Sequence, residues 1–194
     1  MTHRIAVVGA GFAGLSCARV LRRAGFYVDI YESDRVVGGR MGTSRLGVVP
    51  FDHGAQYVTG RSDRFRAYLD ELVHSGYAAN WRPNIAGVDE GNAPNWIVGT
   101  PGMSAMVRPL AEGVQVHINR GVHTLQRNDN AWQIWFDDQT STGPFAAVAV
   151  AVPAPEAALI MGRDVADFAQ QLSAVRFSPI WALMIRLDEQ VLPE

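Results

Sequence analysis

With 194 residues, 48% of them apolar, the chain has hydrophobic material for one full-sized core, or for one domain and part of another. A formal charge of −2 gives nucleic acid or an anionic membrane no electrostatic hold, and no run of about 20 apolar residues offers a membrane span. The lone Cys17 cannot pair internally, which excludes a disulfide scaffold and points to a reducing, cytoplasmic setting. It falls within a helical pattern and reads as a small buried hydrophobe.

The first strand pattern begins at Arg4, so no secretory leader is expected. This strand, Arg4 to Val8, runs straight into Gly9-Ala10-Gly11-Phe12-Ala13-Gly14. A helical pattern with Leu15, Val20 and Leu21 follows, closed by Gly25 as its expected cap. Next comes a second strand, Tyr27 to Tyr31, ending in Glu32. A glycine triplet alone is weak evidence; between a strand and a helix, with an acid ending the next strand, it reads as a dinucleotide site. Gly9 would turn tightly out of the strand, Gly11 would admit a pyrophosphate to the helix N-terminus, and Gly14 would let helix and strand pack closely. Glu32 would accept hydrogen bonds from ribose hydroxyls, and its charge would repel a 2′-phosphate, which argues against NADP.

After the glycine pair Gly38-Gly39, followed by Arg40-Met41, the stretch Ser62 to His74 is helical in pattern, with Phe65, Leu69, Leu72 and Val73 as its apolar face. Gly76 to Ile97 is punctuated by prolines and glycines and reads as short strands of a second, smaller domain. Met103 to Ala111 has helical spacing, with Pro109 expected to kink or shorten it. Three short strands are expected at Val114 to Ile118, Val122 to Gln126 and Ala131 to Phe136, the last two joined by a turn at Asn128-Asp129-Asn130. Phe145 to Val152 reads as one fully buried strand. Pro155 would open a helix and Asp164 would cap another, through about Leu172; Trp181 to Leu187 reads as a strand. The pattern is α/β: a doubly wound domain with a small β-meander, the three short strands from Val114 to Phe136 forming the excursion and Phe145 to Val152 the return strand.

Gly38-Gly39-Arg40 adds a second close backbone approach and a guanidinium able to clamp phosphate oxygens. Together with the first turn and Glu32 it resembles the extended fingerprint of the FAD-dependent amine oxidase superfamily. Asp52-His53-Gly54-Ala55-Gln56-Tyr57 is similar to a segment of the renalase-like branch, as are Trp96 to Met106 (WIVGTPGMSAM) and Phe177 to Leu187 (FSPIWALMIRL). One departure is Asp34-Arg35, where many relatives place the arginine one residue earlier.

The resemblance implies a Rossmann-like FAD-binding domain at 1–60 and 100–160, and part of an α+β substrate domain at 61–99 and 161–194. Its FAD contacts would be Gly9, Gly11, Phe12, Ala13, Gly14, Glu32, Ser33, Gly38, Gly39, Arg40, Met41, Gly54, Ala55, Gln56, Val122, Val152 and Pro153. Gln56 and Tyr57 would stand beside the flavin as catalytic candidates that orient substrate. The implied chemistry is hydride transfer from a small reduced substrate to the flavin, with oxygen as acceptor. Dihydronicotinamide isomers of NAD(P) are the substrate implied by the renalase-like branch, and amines by the wider superfamily. Relatives are longer, so the chain corresponds to their front portion, and a non-catalytic FAD-binding module stays open as an alternative. An NAD-dependent dehydrogenase is the other alternative, against which Gly38-Gly39-Arg40 argues. No metal is expected, because the histidines form no ligand cluster. Asp52 reads as a loop anchor and His53 as structural. Apolar edges such as Trp181 to Leu187 would favour self-association.

Overall fold

In a computed structural model, residues 4–85, 87–88, 94–161 and 166–186 are described. The chain divides into two units, Met1–Gly39 with Val107–Pro179, and Arg40–Met106 with Ile180–Glu194.

The first unit is built on a four-stranded parallel sheet in the order β11-β1-β2-β7, from β1 (Arg4–Val8), β2 (Tyr27–Tyr31), β7 (Gln115–His117) and β11 (Ala147–Val150). The side-chain alternation divides its two faces. Ala6 and Tyr31 join Leu125, Ile134, Phe136 and Phe145 in one buried cluster beneath an antiparallel meander. The meander comprises β8 (Val122–Asn128), β9 (Ala131–Phe136) and β10 (Ser141–Phe145). Helix α1 (Phe12–Arg23) packs on β1 and β2, with Leu15 and Ala18 fully buried. It ends as the sequence predicts. Gly25, at φ +89°, donates to the Arg22 carbonyl and Phe26 to the Leu21 carbonyl, the paired bonds of a Schellman motif.

Three expectations are corrected here. Val114 to Ile118 is not part of the meander: β7 joins the parallel sheet beside β2, and the third meander strand is Ser141–Phe145. Phe145 to Val152 is not one buried strand. It breaks at Ala146, leaving Phe145 sealed under the meander and β11 half-exposed, because β11 is the sheet edge. Met103 to Ala111 is not one helix: Met103–Val107 is a 3₁₀ turn, and the α-helix is shortened, as the proline allowed, to α3 (Arg108–Ala111). Pro109 lies in the first turn of α3, where its missing N–H costs nothing. Two further helices are α4 (Ala154–Ile160), opened by Pro155 as expected, and α5 (Ala166–Ser173); Asp164 lies outside the described residues.

In the second unit, α2 (Asp63–His74) is capped by the Ser62 hydroxyl, which accepts from the Phe65 N–H, and buries Leu69 and Leu72. Two antiparallel hairpins accompany it, β3 (Thr43–Leu46) with β4 (Val49–Asp52), and β5 (Ala78–Trp81) with β6 (Trp96–Gly99). The first of these was not expected. The strand expected from Trp181 to Leu187 is absent through residue 186; Leu187 lies outside the described residues. This segment pairs with no described strand, and its apolar side chains stay in solvent, Trp181 being 97% exposed.

Candidate dinucleotide site

Strand β1 ends against the turn that the glycines permit. Gly9 takes φ +96°, a conformation costly for other residues, and a Cβ there would stand 2.9 Å from Val152 Cγ1. At Gly14 a Cβ would lie 1.9 Å from the Gly9 carbonyl oxygen, so helix and turn meet backbone to backbone. Gly11 differs. Its φ is an ordinary −72°, and a Cβ would find nothing nearer than the Gly38 oxygen at 4.0 Å. The protein's own packing therefore does not require glycine at position 11; an approaching ligand would.

The second glycine pair closes on the same turn. Gly38 N–H donates to the Ala10 carbonyl (3.0 Å), Gly38 and Gly11 form a parallel bridge, and a Cβ on Gly39 would lie 3.4 Å from Gly11 Cα. Glu32, at the end of β2, is the one charged side chain buried among the described residues, at 7% exposure. Its Oε2 accepts from the Ala10 N–H (2.7 Å); its Oε1 accepts from the Asp34 N–H (2.9 Å) and the Ser33 hydroxyl (3.1 Å). The carboxylate is thus held by the turn itself, with acceptor capacity left on Oε2. Phe12 and Ala13 open α1, whose first turn contains no acidic residue, so its N–H groups face outward in a positive field. Val122 opens β8, and the preceding Gly121 would bring a Cβ 3.9 Å from Ser33. Val152 touches Gly9, and Pro153 caps α4.

The remaining sequence candidates belong to the second unit. Arg40 and Met41 lie in the 3₁₀ turn Gly39–Met41, with Met41 buried. The Arg40 carbonyl accepts from the Ala55 N–H (2.8 Å), and a Cβ on Gly54 would be 2.1 Å from that oxygen, so Gly54 is fixed by packing. Asp52 is an anchor. Its Oδ1 accepts from the Thr43 hydroxyl (2.5 Å) and the Met103 N–H (2.9 Å). Gln56 and His53 are exposed. Tyr57 is 40% exposed and stacks on Trp96 with ring centres 3.8 Å apart and planes within 4°; Trp81 meets Trp96 edge-on at 5.3 Å. Neither tryptophan was singled out in sequence as a partner of Tyr57. The signal available was a pair of tryptophans bracketing a Pro- and Gly-rich stretch.

Elsewhere in the first unit, Asp29 bonds Arg4 Nε (2.7 Å) and His117 Nε2 (3.0 Å). Burial disfavours its charge, but the hydrogen bonds from Arg4 and His117 outweigh this and hold the carboxyl below the ordinary range. Arg19, Arg22 and Arg23 line a cleft of about 310 Å³ beside Pro109, Glu112 and Val114, at the helix end where cations complement the dipole. Among the described residues no group of three or more His, Cys, Asp or Glu could hold a metal, and no helix is long and apolar enough to cross a membrane.

Residues 7–72 match the profile of NAD(P)-binding Rossmann-like domains, and residues 77–194 that of flavin containing amine oxidoreductases. The chain belongs to the flavin containing amine oxidoreductase family. FAD is the cofactor that this membership gives it, and the open cradle at Gly11 beside the buried Glu32 fits that group. Renalase from Mus musculus is 28% identical over 93% of this chain and 57% of its own length. A putative flavin-containing monoamine oxidase, AofH, from Mycobacterium tuberculosis is 44% identical over 37% of this chain and 16% of its own. The chain therefore spans little more than half of the renalase it matches. Among solved structures, a putrescine oxidase triple mutant redesigned in its cofactor binding superposes with TM-score 0.65 at 16% identity, covering 81% of this chain and 59% of that one. A fatty acid isomerase from P. acnes gives TM-score 0.67 at 15% identity, covering 88% and 63%. Both likenesses are of fold.

Proposed function

We propose that the chain is the cofactor-binding portion of a renalase-like FAD oxidoreductase. The observation that carries this reading is Gly11: a glycine with ordinary dihedrals and open space above it, at an uncapped helix start, beside a buried carboxylate. The N–H groups of Gly11, Phe12, Ala13 and Gly14 would hold the pyrophosphate, supported by the helix dipole. Glu32 would accept from the ribose hydroxyls, with Ser33 beside it, while Gly38 and Gly39 keep the opposite wall thin. Val122, Val152 and Pro153 would flank the adenosine half. The resemblance assigns Arg40, Met41, Gly54, Ala55 and Gln56 to the same cofactor, and Gln56 and Tyr57 to substrate orientation. In domain terms, 1–60 and 100–160 would bind cofactor, and 61–99 with 161–194 would contribute to the substrate side.

The chemistry that bound FAD would supply here is acceptance of a hydride from a reduced substrate, with oxygen as the final acceptor and hydrogen peroxide as its product. The protein's part is to orient the two rings and to exclude water. Dihydronicotinamide isomers of NAD(P) are the proposed donors; amines are the second reading, supported by the AofH match. We place the reaction in the cytoplasm on the strength of the single unpaired Cys17. We also infer self-association through the exposed Ile180, Trp181, Leu183 and Ile185. The test is spectroscopic: purified chain carrying stoichiometric flavin, bleached by a dihydronicotinamide and restored by air, supports the enzyme. Flavin that binds and never bleaches leaves the non-catalytic module; preference for NAD over FAD overturns the cofactor reading.

A further inference from the structure

We propose that Arg19, Arg22 and Arg23, with the connection between α3 and β7 opposite them, form a binding site for the phosphate monoester of a small organic molecule. The three arginines stand at i, i+3 and i+4 on α1, so they share one helix face. With Pro109, Glu112 and Val114 they line a cleft of about 310 Å³ that lies wholly within the first unit. Arginines in the last turn complement the helix dipole, and that accounts for Arg22 and Arg23. It does not account for Arg19, a full turn further in. Placed there, Arg19 repels both of its neighbours on that face, which disfavours the helix unless an anion lies among them. Three arginines against one glutamate give the cleft a local excess of positive charge, in a chain whose formal charge is −2.

The donors are available. Among the described residues the Arg19 and Arg23 guanidinium groups have no hydrogen-bond or ion-pair partner. Arg22 Nη1 donates only to the Glu112 carbonyl oxygen, at a long 3.5 Å. Gly113 keeps that approach open: it takes φ +67°, and a Cβ there would stand 2.9 Å from Arg22 Nη1. The donor set also selects the anion. One planar guanidinium satisfies a planar carboxylate through two parallel bonds, whereas the three outer oxygens of a phosphate monoester, carrying nearly two charges, can engage all three arginines. Pro109 and Val114, both half-buried, give the organic part an apolar wall. The 12 residues of α1 put the cleft about 18 Å along the helix axis from the Gly11 turn, so an ester here and a pyrophosphate there would bind together.

An ester bound here needs nothing from the oxidoreductase reading above. The purified chain is titrated calorimetrically, at fixed ionic strength and about pH 8, with phenyl phosphate, a dianion, and with phenyl sulfate, a monoanion of the same shape. A single saturable site is expected for the phosphate, binding about tenfold tighter than the sulfate. Arg19→Gln and Arg22→Gln should each weaken it about tenfold, the share of a hydrogen bond to a charged group. Arg19→Lys, which keeps the charge and loses the planar fork, should lose less. Saturating FAD and Gly11→Ala should both leave this binding unchanged, since each acts at the other end of α1. Unsaturable uptake by the parent chain, or equal binding of phosphate and sulfate, overturns the proposal without recourse to any variant's folding. Full affinity in both glutamine variants overturns it as well. Displacement of phenyl phosphate by FAD, with loss in Gly11→Ala, would place the anion in the dinucleotide turn; the cleft would fall and the cofactor reading would stand. Ester binding that needs the arginines in a chain that takes up no FAD would do the reverse.

Discussion

Replacing Gly14 with alanine would place a methyl group 1.9 Å from the Gly9 carbonyl oxygen and 3.3 Å from Ala151 Cβ, where real side chains stay beyond about 3.0 Å. Helix α1 would have to lift from the β1 turn by about 1 Å, a shift in a close-packed interior that costs about 1–3 kcal/mol. Alanine's better helix propensity returns about 1 kcal/mol, and a clash this deep belongs at the upper end of the cost, so a net loss of about 2 kcal/mol is expected. At an m-value of about 2 kcal/mol per molar urea, the unfolding midpoint should fall by about 1 M. The comparison that gives this meaning is Gly11→Ala, where the new Cβ meets nothing within 4 Å except Gly38 O at its edge. Its cost should stay within about 1 kcal/mol, the scale of a helix cap preference. The affinities should fall in the opposite order: Gly11→Ala should lose FAD at least about tenfold at nearly full stability, since it fills the proposed pyrophosphate space. Urea titrations by circular dichroism and FAD titrations by flavin fluorescence read the two effects. If Gly14→Ala is as stable as the parent, or Gly11→Ala binds FAD undiminished, the division of labour among the glycines is wrong.

Glu32→Gln should lower the urea midpoint and weaken FAD together. The amide NH₂ must face the N–H of Ala10 or Asp34, leaving one buried donor unpaired at a cost of about 1–3 kcal/mol; a change in neither quantity refutes the role drawn for the carboxylate. Asp29 supplies a pH dependence. Its folded-state pKa is depressed, so its stabilisation is complete above the ordinary carboxylate pKa and disappears as pH falls through the lower folded value. Asp29→Asn should therefore lower stability at neutral pH and flatten the acid limb below about pH 4; an unchanged limb on acid titration by circular dichroism would contradict it. Sedimentation velocity over a rising concentration series tests self-association, and Trp181→Ser should shift it toward monomer; a concentration-independent monomer in the parent chain ends that idea.

What could be read from sequence was whatever local stereochemistry dictates. The turn from Gly9 to Gly14 had one available geometry once a strand preceded it and a helix followed, and both Gly25 and Ser62 announce helix ends through bonds their own backbone or side chain makes. Elements defined by a distant partner were misread. Nothing in Gln115–His117 says that it pairs with Tyr31 rather than with the strand after it. Phe145 and Ala147 look alike in an apolar run, although one belongs to a meander and the other to the sheet edge. The β3–β4 hairpin was missed for the same reason, because its register is held by Thr43 and Asp52 together with backbone N–H groups of Met103 and Ser104, more than fifty residues away in sequence.

The glycines show how fold and ligand signals can be separated within one motif. Gly9, Gly14 and Gly54 each have a reason internal to the protein: a positive φ in the first case, and a carbonyl oxygen within about 2 Å of the missing Cβ in the other two. Any homologous fold would need them with or without a bound molecule. Gly11 has no such reason, so its identity carries information that packing does not explain. The position that the protein's own contacts fail to account for is the one on which the cofactor reading rests.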